Sequence, residues 1–199
     1  YHELETVFER VDLADELTFE LAPSGLALSC DEVTLPVDEG NIVLEAARLL
    51  QQTAQTAQGA AIRLRKRIPI AAGLGGGSSD AAATLVGLND LWGLRVETKT
   101  LRQLAARLGS DVPFFLSQTA FAVGRGRGER CEPLPRAGML VHVLAVPEAR
   151  LSTKEVYEGL ARHRAHEGFS LTAPSASLTM VMHALRNGSL GELAKGLWN

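Results

Sequence analysis

Aromatic residues are scarce in this chain, cysteine is nearly absent, and there is no surplus of positive charge. Aromatics make up 5% of the 199 residues and there are two cysteines. Cys30 and Cys131 lie far apart, without CxxC spacing and without a neighbouring histidine, so both read as reduced thiols of a cytoplasmic protein rather than a disulfide or a zinc site. His142, His163, His166 and His183 show neither HxxxH nor HExxH spacing, and no metal ligand is assigned to them. Lys and Arg number 20 against 23 Asp and Glu, a formal charge of −3, so no global positive field exists to draw in nucleic acid or an anionic membrane. No apolar run reaches the roughly 18 residues of a membrane span, and the opening Tyr1-His2-Glu3-Leu4-Glu5 is not a basic segment followed by an apolar one. A cytoplasmic protein whose partners are small molecules is expected. What the chain does have is 46% hydrophobic residues, enough for a large core, and 19 glycines, above the usual share of about 7%.

The patterning predicts an α+β chain. Residues 5–35 alternate, with Leu17, Phe19 and Leu21 on one face and Leu26, Leu28 and Cys30 after the turn Pro23-Ser24-Gly25, which reads as an antiparallel meander. From Asn41 the apolar positions Ile42, Ala46, Leu49, Leu50 and Ala54 take helical spacing, predicting about four turns that end near Gly59. Ala60 to Arg67 alternates again, with Arg63, Arg65, Lys66 and Arg67 read as a solvated strand face that could also attract an anionic nucleotide. Helices are predicted over Ser78–Leu91, ended by Gly93, and over Thr100–Leu108, ended by Gly109. Ala120–Val123 and Met139–Val146 read as strands joined through the Gly124–Gly128 turn. Ser152-Thr153-Lys154-Glu155 matches a capping box opening a helix to about His163, and two more helices follow. The change of pattern near residue 150 suggests a first lobe over residues 1–148 and the start of a second over 149–199.

The informative segment is Pro69-Ile70-Ala71-Ala72-Gly73-Leu74-Gly75-Gly76-Gly77-Ser78-Ser79, a glycine loop between a strand and a helix. Glycine lets the backbone wrap closely around a ligand, and the following helix adds unpaired amides and the positive end of its dipole, which suits phosphate. Ser78 and Ser79 can donate to phosphate oxygens or to the shell of a bound Mg²⁺. A Walker A loop would need Lys after its last Gly, and Ser78 stands there. A dinucleotide fingerprint would need a third Gly in register, and Ser78 again stands there.

The order Pro-x-x-x-Gly-Leu-Gly-Gly-Gly-Ser-Ser resembles the phosphate loop of the GHMP kinase superfamily. Further stretches are similar to one branch of it: the opening Tyr1-His2-Glu3-Leu4-Glu5-Thr6, Asn41-Ile42-Val43, Leu108-Gly109-Ser110-Asp111-Val112-Pro113-Phe114-Phe115, Gly126-Arg127-Gly128-Glu129, and Ser152-Thr153-Lys154-Glu155-Val156-Tyr157. The resemblance implies a two-lobed α+β fold, with a ribosomal protein S5 domain 2-like first lobe and part of a second. It implies ATP as phosphoryl donor with Mg²⁺, and as acceptor the 2-hydroxyl of a cytidine-diphosphate-linked methylerythritol of the non-mevalonate isoprenoid pathway. By the same resemblance Pro69 through Ser79 bind ATP, Asp111 is the catalytic base, and Tyr1, His2, Thr153 and Tyr157 hold the cytidine substrate. Asn41 matches a nucleotide-side Asn, while as a helix N-cap it needs no ligand, and both readings stand. Another acceptor, such as homoserine or a mevalonate, would leave Tyr1, His2 and Tyr157 without a base to stack; a non-catalytic nucleotide-binding fragment is the remaining alternative. The family's first strand, with its Lys beside the catalytic Asp, and its late glycine-rich loop are not found here. The expectation is a chain cut at both ends, with weak or absent turnover as it stands.

Overall fold

The computed structural model describes residues 4–117, 119–134, 140–146 and 175–197, together with Val156, Gly159 and Arg162. Two compact units emerge, one of residues 1–68 and 75–133 and the other of residues 69–74 and 134–199. Each is taken by itself.

The first unit holds two three-stranded sheets. Strands β1 (Leu4–Glu9), β5 (Phe121–Gly126) and β6 (Arg130–Leu134) form one, in the order β1-β5-β6. Strands β2 (Glu16–Ala22), β3 (Leu26–Cys30) and β4 (Gly59–Arg65) form the other, in the order β2-β4-β3. The expected meander is therefore wrong in two respects. β1 belongs to a different sheet, and β2 and β3, though joined by the Pro23-Ser24-Gly25 turn, are parted by β4, which runs antiparallel to β2 and parallel to β3. The physical reason lies at Gly59, where a Cβ would meet Ser24 C at 2.5 Å and Gly25 O at 2.6 Å. Only glycine lets β4 start directly beneath that turn, and the Ala60 amide then donates to Gly25 O at 3.0 Å.

The connection from β3 to β4 is helix α1 (Ile42–Ala54), a parallel crossover. It ends before the predicted Gly59 because Gln55 takes a left-handed C-cap at φ 51°. Helices α2 (Gly76–Leu91), α3 (Thr98–Leu108) and α4 (Val112–Phe115) follow. Along β4, Ala60, Ile62 and Leu64 are buried against these helices, while Ala61, Arg63 and Arg65 are exposed. Leu50, Leu64, Leu85 and Leu88 are fully buried in the shared core, each contributing roughly 1.5–3 kcal/mol. On β2, Leu17 and Phe19 pack on that core, whereas Leu21 is exposed. Gly87 gives room for the Phe19 ring, since a Cβ there would lie 2.4 Å from it.

The partner of β5 in the hairpin is β6, not the predicted Met139–Val146. Residues 140–146 form no strand, and Val141 and Val143 are exposed. In the second unit, α5 (Ser175–Asn187) turns at Gly188, φ 66°, into α6 (Leu190–Gly196). Gly196 lies against Val181, where a Cβ would be 3.0 Å from its Cγ2. Of the helix expected after Ser152, Val156, Gly159 and Arg162 are described and helical.

Candidate active site

The glycine loop begins after Ile68, just past the end of β4, and the chain belongs to the first unit again from Gly75. Gly75 is the N-cap of α2 with φ 69°, a left-handed conformation that favours glycine. The helix starts two residues before the predicted Ser78, so Ser78 is not its cap. The Ser79 amide bonds to Gly75 O at 2.9 Å, which leaves the amides of Gly76, Gly77 and Ser78 without an intrahelical partner. Those amides and the helix dipole make an anion-binding end. The Ser79 hydroxyl donates back to Gly76 O at 2.8 Å, while Gly77 is exposed.

The loop's two roots meet. A Cβ on Gly76 would lie 3.0 Å from Ile68 Cγ2 and 3.3 Å from Lys66 Nζ, so here glycine supplies room rather than an unusual φ. Lys66 departs from the solvated strand face expected of it, since its side chain is only 8% exposed. Its ammonium bonds to Asp15 Oδ2 at 2.5 Å and to Asp80 Oδ2 at 2.9 Å. Asp15 Oδ1 accepts from the amides of Arg67 and Ile68 at 2.6 and 2.8 Å, and Asp31 Oδ1 accepts from the Lys66 amide at 2.9 Å.

Electrostatics separate the two carboxylates that grip Lys66. Burial raises Asp15, but the Lys66 bond and the two amides outweigh it and hold its pKa below the ordinary value. Asp80 has the Lys66 bond alone, with Oδ1 buried and unpaired, so burial wins and pushes it up to about 6. Burial opposes the Lys66 charge too, yet the two carboxylates raise its pKa. Sequence reading missed Asp15, Lys66 and Asp80. The available signal was the break in alternation at Arg65-Lys66-Arg67 and an Asp within an Ala-rich helix.

Asp111 takes the N-cap position of α4. The predicted loop Ser110–Pro113 is in fact the start of that helix, with Pro113 in its first turn, where no amide is missed. Asp111 is half-buried; the Ser110 hydroxyl donates to its Oδ1 at 3.3 Å, and its main-chain oxygen accepts from the Phe114 amide at 3.2 Å. Two contacts bring other parts to it. A Cβ on Gly75 would lie 3.0 Å from the Phe115 ring, which ties the loop's second root to α4. A Cβ on Gly128, φ 110°, would lie 3.5 Å from Asp111 Oδ1, so the Gly126–Gly128 turn runs beside the carboxylate. Cys131 shares that corner, donating to Gly128 O at 3.2 Å, and burial together with Asp111 raises its pKa. Both cysteines are free.

Asn41 is the N-cap of α1. Its Oδ1 accepts from the Val43 amide at 2.9 Å and its Nδ2 donates to Pro36 O at 2.7 Å, so both polar ends are engaged within the chain. Pro69, Ile70, Ala71, Ala72, Gly73 and Leu74 belong to the second unit. Tyr1, His2, Thr153 and Tyr157 lie outside the described residues. Among the described residues no group of three or more His, Cys, Asp or Glu side chains is placed to hold a metal, and no helix is long and apolar enough to cross a membrane.

A glycine loop feeding a helix N-terminus, on a sheet built by a β3-α1-β4 crossover, is the arrangement of a GHMP kinase. Residues 41–119 match the GHMP kinases N terminal domain. The chain is 39% identical over 193 residues to the 4-diphosphocytidyl-2-C-methyl-D-erythritol kinase of Chloroherpeton thalassium, covering 97% of this chain and 65% of that one. It is 40% identical to the same enzyme of Pelotomaculum thermopropionicum, covering 100% of this chain and 67% of that one. A crystal structure of 4-(cytidine 5'-diphospho)-2C-methyl-D-erythritol kinase superposes with a TM-score of 0.69 at 38% identity, covering 94% of this chain and 64% of that one. The chain belongs to the 4-diphosphocytidyl-2-C-methyl-D-erythritol kinase family, and it spans about 65% of the length of the curated relatives that it matches.

Proposed function

We propose that this protein transfers the γ-phosphoryl group of ATP to the 2-hydroxyl of 4-diphosphocytidyl-2-C-methyl-D-erythritol. The observation that carries the reading is the pairing of an anion-binding helix end with a carboxylate. The unpartnered amides of Gly76, Gly77 and Ser78 open α2, and Asp111 stands on α4, whose Phe115 ring touches Gly75.

Phosphoryl transfer is largely positioning and charge stabilisation, with a residue to orient or deprotonate the acceptor. In this assignment Pro69 through Ser79 form the ATP loop, with main-chain amides from Ile70 onward turned to the nucleotide phosphates, and the α2 dipole favours the negative charge that spreads over the transferred group. Asp111 accepts the proton of the acceptor hydroxyl, and Ser110 and the Gly128 turn hold its carboxylate in place. Tyr1, His2, Thr153 and Tyr157 are assigned to the cytidine, an aromatic ring stacking on the base and His bonding its edge. Asn41 is assigned to structure alone, because its side chain is already spent on Val43 and Pro36. Where Mg²⁺ is bound with the polyphosphate, the Ser78 hydroxyl would be a protein ligand to it, and the ion would neutralise phosphate charge.

The test is a coupled assay of ADP release with ATP and the cytidine substrate, on this chain and on a version extended at both ends to the length of its relatives. Turnover in the extended protein, dependent on the cytidine substrate, is expected. Its absence there overturns the assignment.

A further inference from the structure

The amides of the three residues before the glycine loop, Lys66, Arg67 and Ile68, and the Lys66 ammonium are all bound by carboxylates, and the binding comes from far along the chain. Asp31, at the end of β3, takes the Lys66 amide. Asp15, just before β2, takes the amides of Arg67 and Ile68 through one oxygen and the Lys66 ammonium through the other. Asp80, in the second turn of α2, takes the same ammonium from beyond the loop. Lys66 thus joins the segment entering the loop to the helix leaving it, right at the loop's roots.

Stability alone is a poor account of this arrangement. Asp15 is 1% exposed and Asp80 4%, and a buried ion pair gains little over apolar residues of the same volume once desolvation is counted. Asp80 fares worse still, with Oδ1 buried and unpartnered. What such a cluster does provide is geometric definition, because a short charged hydrogen bond on each side of one ammonium fixes the separation of two segments. The separation fixed here is that of the loop's roots, where Ile68 and Gly76 already touch.

We propose that Lys66 is a positioning residue: bridging Asp15 and Asp80, it sets the distance between the two roots of the glycine loop and thereby holds the loop's amides in register for the nucleotide's phosphates. The inference rests on the nucleotide-binding reading given above. It concerns neither the acceptor nor the transfer step.

Charge and position have to be separated in the test, because removing Lys66 also leaves more negative charge near an anion site. The double variant Lys66→Met with Asp80→Asn breaks the bridge while keeping the cluster's net charge at one negative, and it drops the orphaned carboxylate. ATP affinity is measured by calorimetry for the wild type, Lys66→Met and the double variant, alongside the affinity for the cytidine substrate and the melting temperature. Both variants are expected to bind ATP at least about tenfold more weakly and the cytidine substrate within about twofold of the wild type. ATP affinity that stays at the wild-type level in the double variant overturns the positioning role. So does a parallel loss of both ligands, or a double variant that does not fold, since either makes the cluster a general folding element. Because the readout is ATP binding, a wild type that binds ATP without turnover contradicts only the kinase assignment, and a wild type that binds no ATP contradicts both.

Discussion

The roots of the glycine loop are joined by charge, whereas the turn that carries Asp111 is joined by rings and main-chain oxygens. At the roots, one ammonium between two carboxylates replaces apolar packing. At α4, Phe114 packs tilted against Phe8 with centroids 5.2 Å apart and edge-on against Phe115 at 5.3 Å. Arg10 lies 5.8 Å from the Phe114 ring centre and donates to Phe115 O at 3.0 Å and Ser117 O at 2.7 Å. The difference follows from the tasks assigned to them. A phosphate loop needs its two ends at a fixed separation while its amides stay open, which a localised, directional bridge supplies. A carboxylate on a short helix needs a firm base, which aromatic packing and the Arg10 bonds to main-chain oxygens supply.

The largest expected effect on this comparison comes from forcing the roots apart. Gly76→Ala puts a methyl 3.0 Å from Ile68 Cγ2 and 3.3 Å from Lys66 Nζ. It should destabilise the protein by about 1–3 kcal/mol and weaken ATP binding, both read from melting and calorimetry. A variant that keeps wild-type ATP affinity would mean the roots tolerate being spread. Next is Arg10→Ala, which removes two hydrogen bonds to carbonyl oxygens and the contact with Phe114. A loss of about 1–2 kcal/mol is expected, with kcat falling while ATP affinity holds. Equal loss of both would show that the two regions are not supported separately.

The smallest effect is the response to pH. Asp80 sits at about 6 when folded, against an ordinary 3.8, so the unfolded chain gives up this proton more readily than the folded one. Asp80's contribution to stability is therefore full below about pH 3.8 and lost as the pH rises through about 6. Between pH 7.5 and 5 this group should add about 1 kcal/mol, seen as a rise in denaturation midpoint that Asp80→Asn lacks. The aromatic support of Asp111 has no counterpart to this response. A wild type whose pH profile matches that of Asp80→Asn would contradict the charged description of the roots.

Much of the fold could be read locally. α1, α2 and α3 announce themselves by period and punctuation, with Asn41 as N-cap and Gly93 and Gly109 just past helix ends. The glycine loop between β4 and α2 is equally legible, because it is a contiguous motif, whereas the Ser110–Pro113 segment is the start of a helix rather than the expected loop. What could not be read depends on distant pairing. The order β2-β4-β3 places a strand from residue 59 between two that are joined by a tight turn, and only the steric fit of Gly59 beneath that turn allows it. β6 is a short strand containing Pro133 and the charged Arg130 and Glu132, with no apolar alternation to mark it. Lys66 shares its charge with Arg63, Arg65 and Arg67, and what buries it is a carboxylate 51 positions upstream.

Under the proposed function the glycine loop holds the phosphates of ATP and Asp111 activates the acceptor. The most direct measurement is turnover and ATP affinity of Asp111→Asn in the extended protein, with the cytidine substrate as acceptor. Turnover is expected to fall by about 10²–10⁴-fold with ATP affinity within about twofold of the wild type. Turnover that survives the substitution, or ATP affinity that collapses with it, would contradict the account.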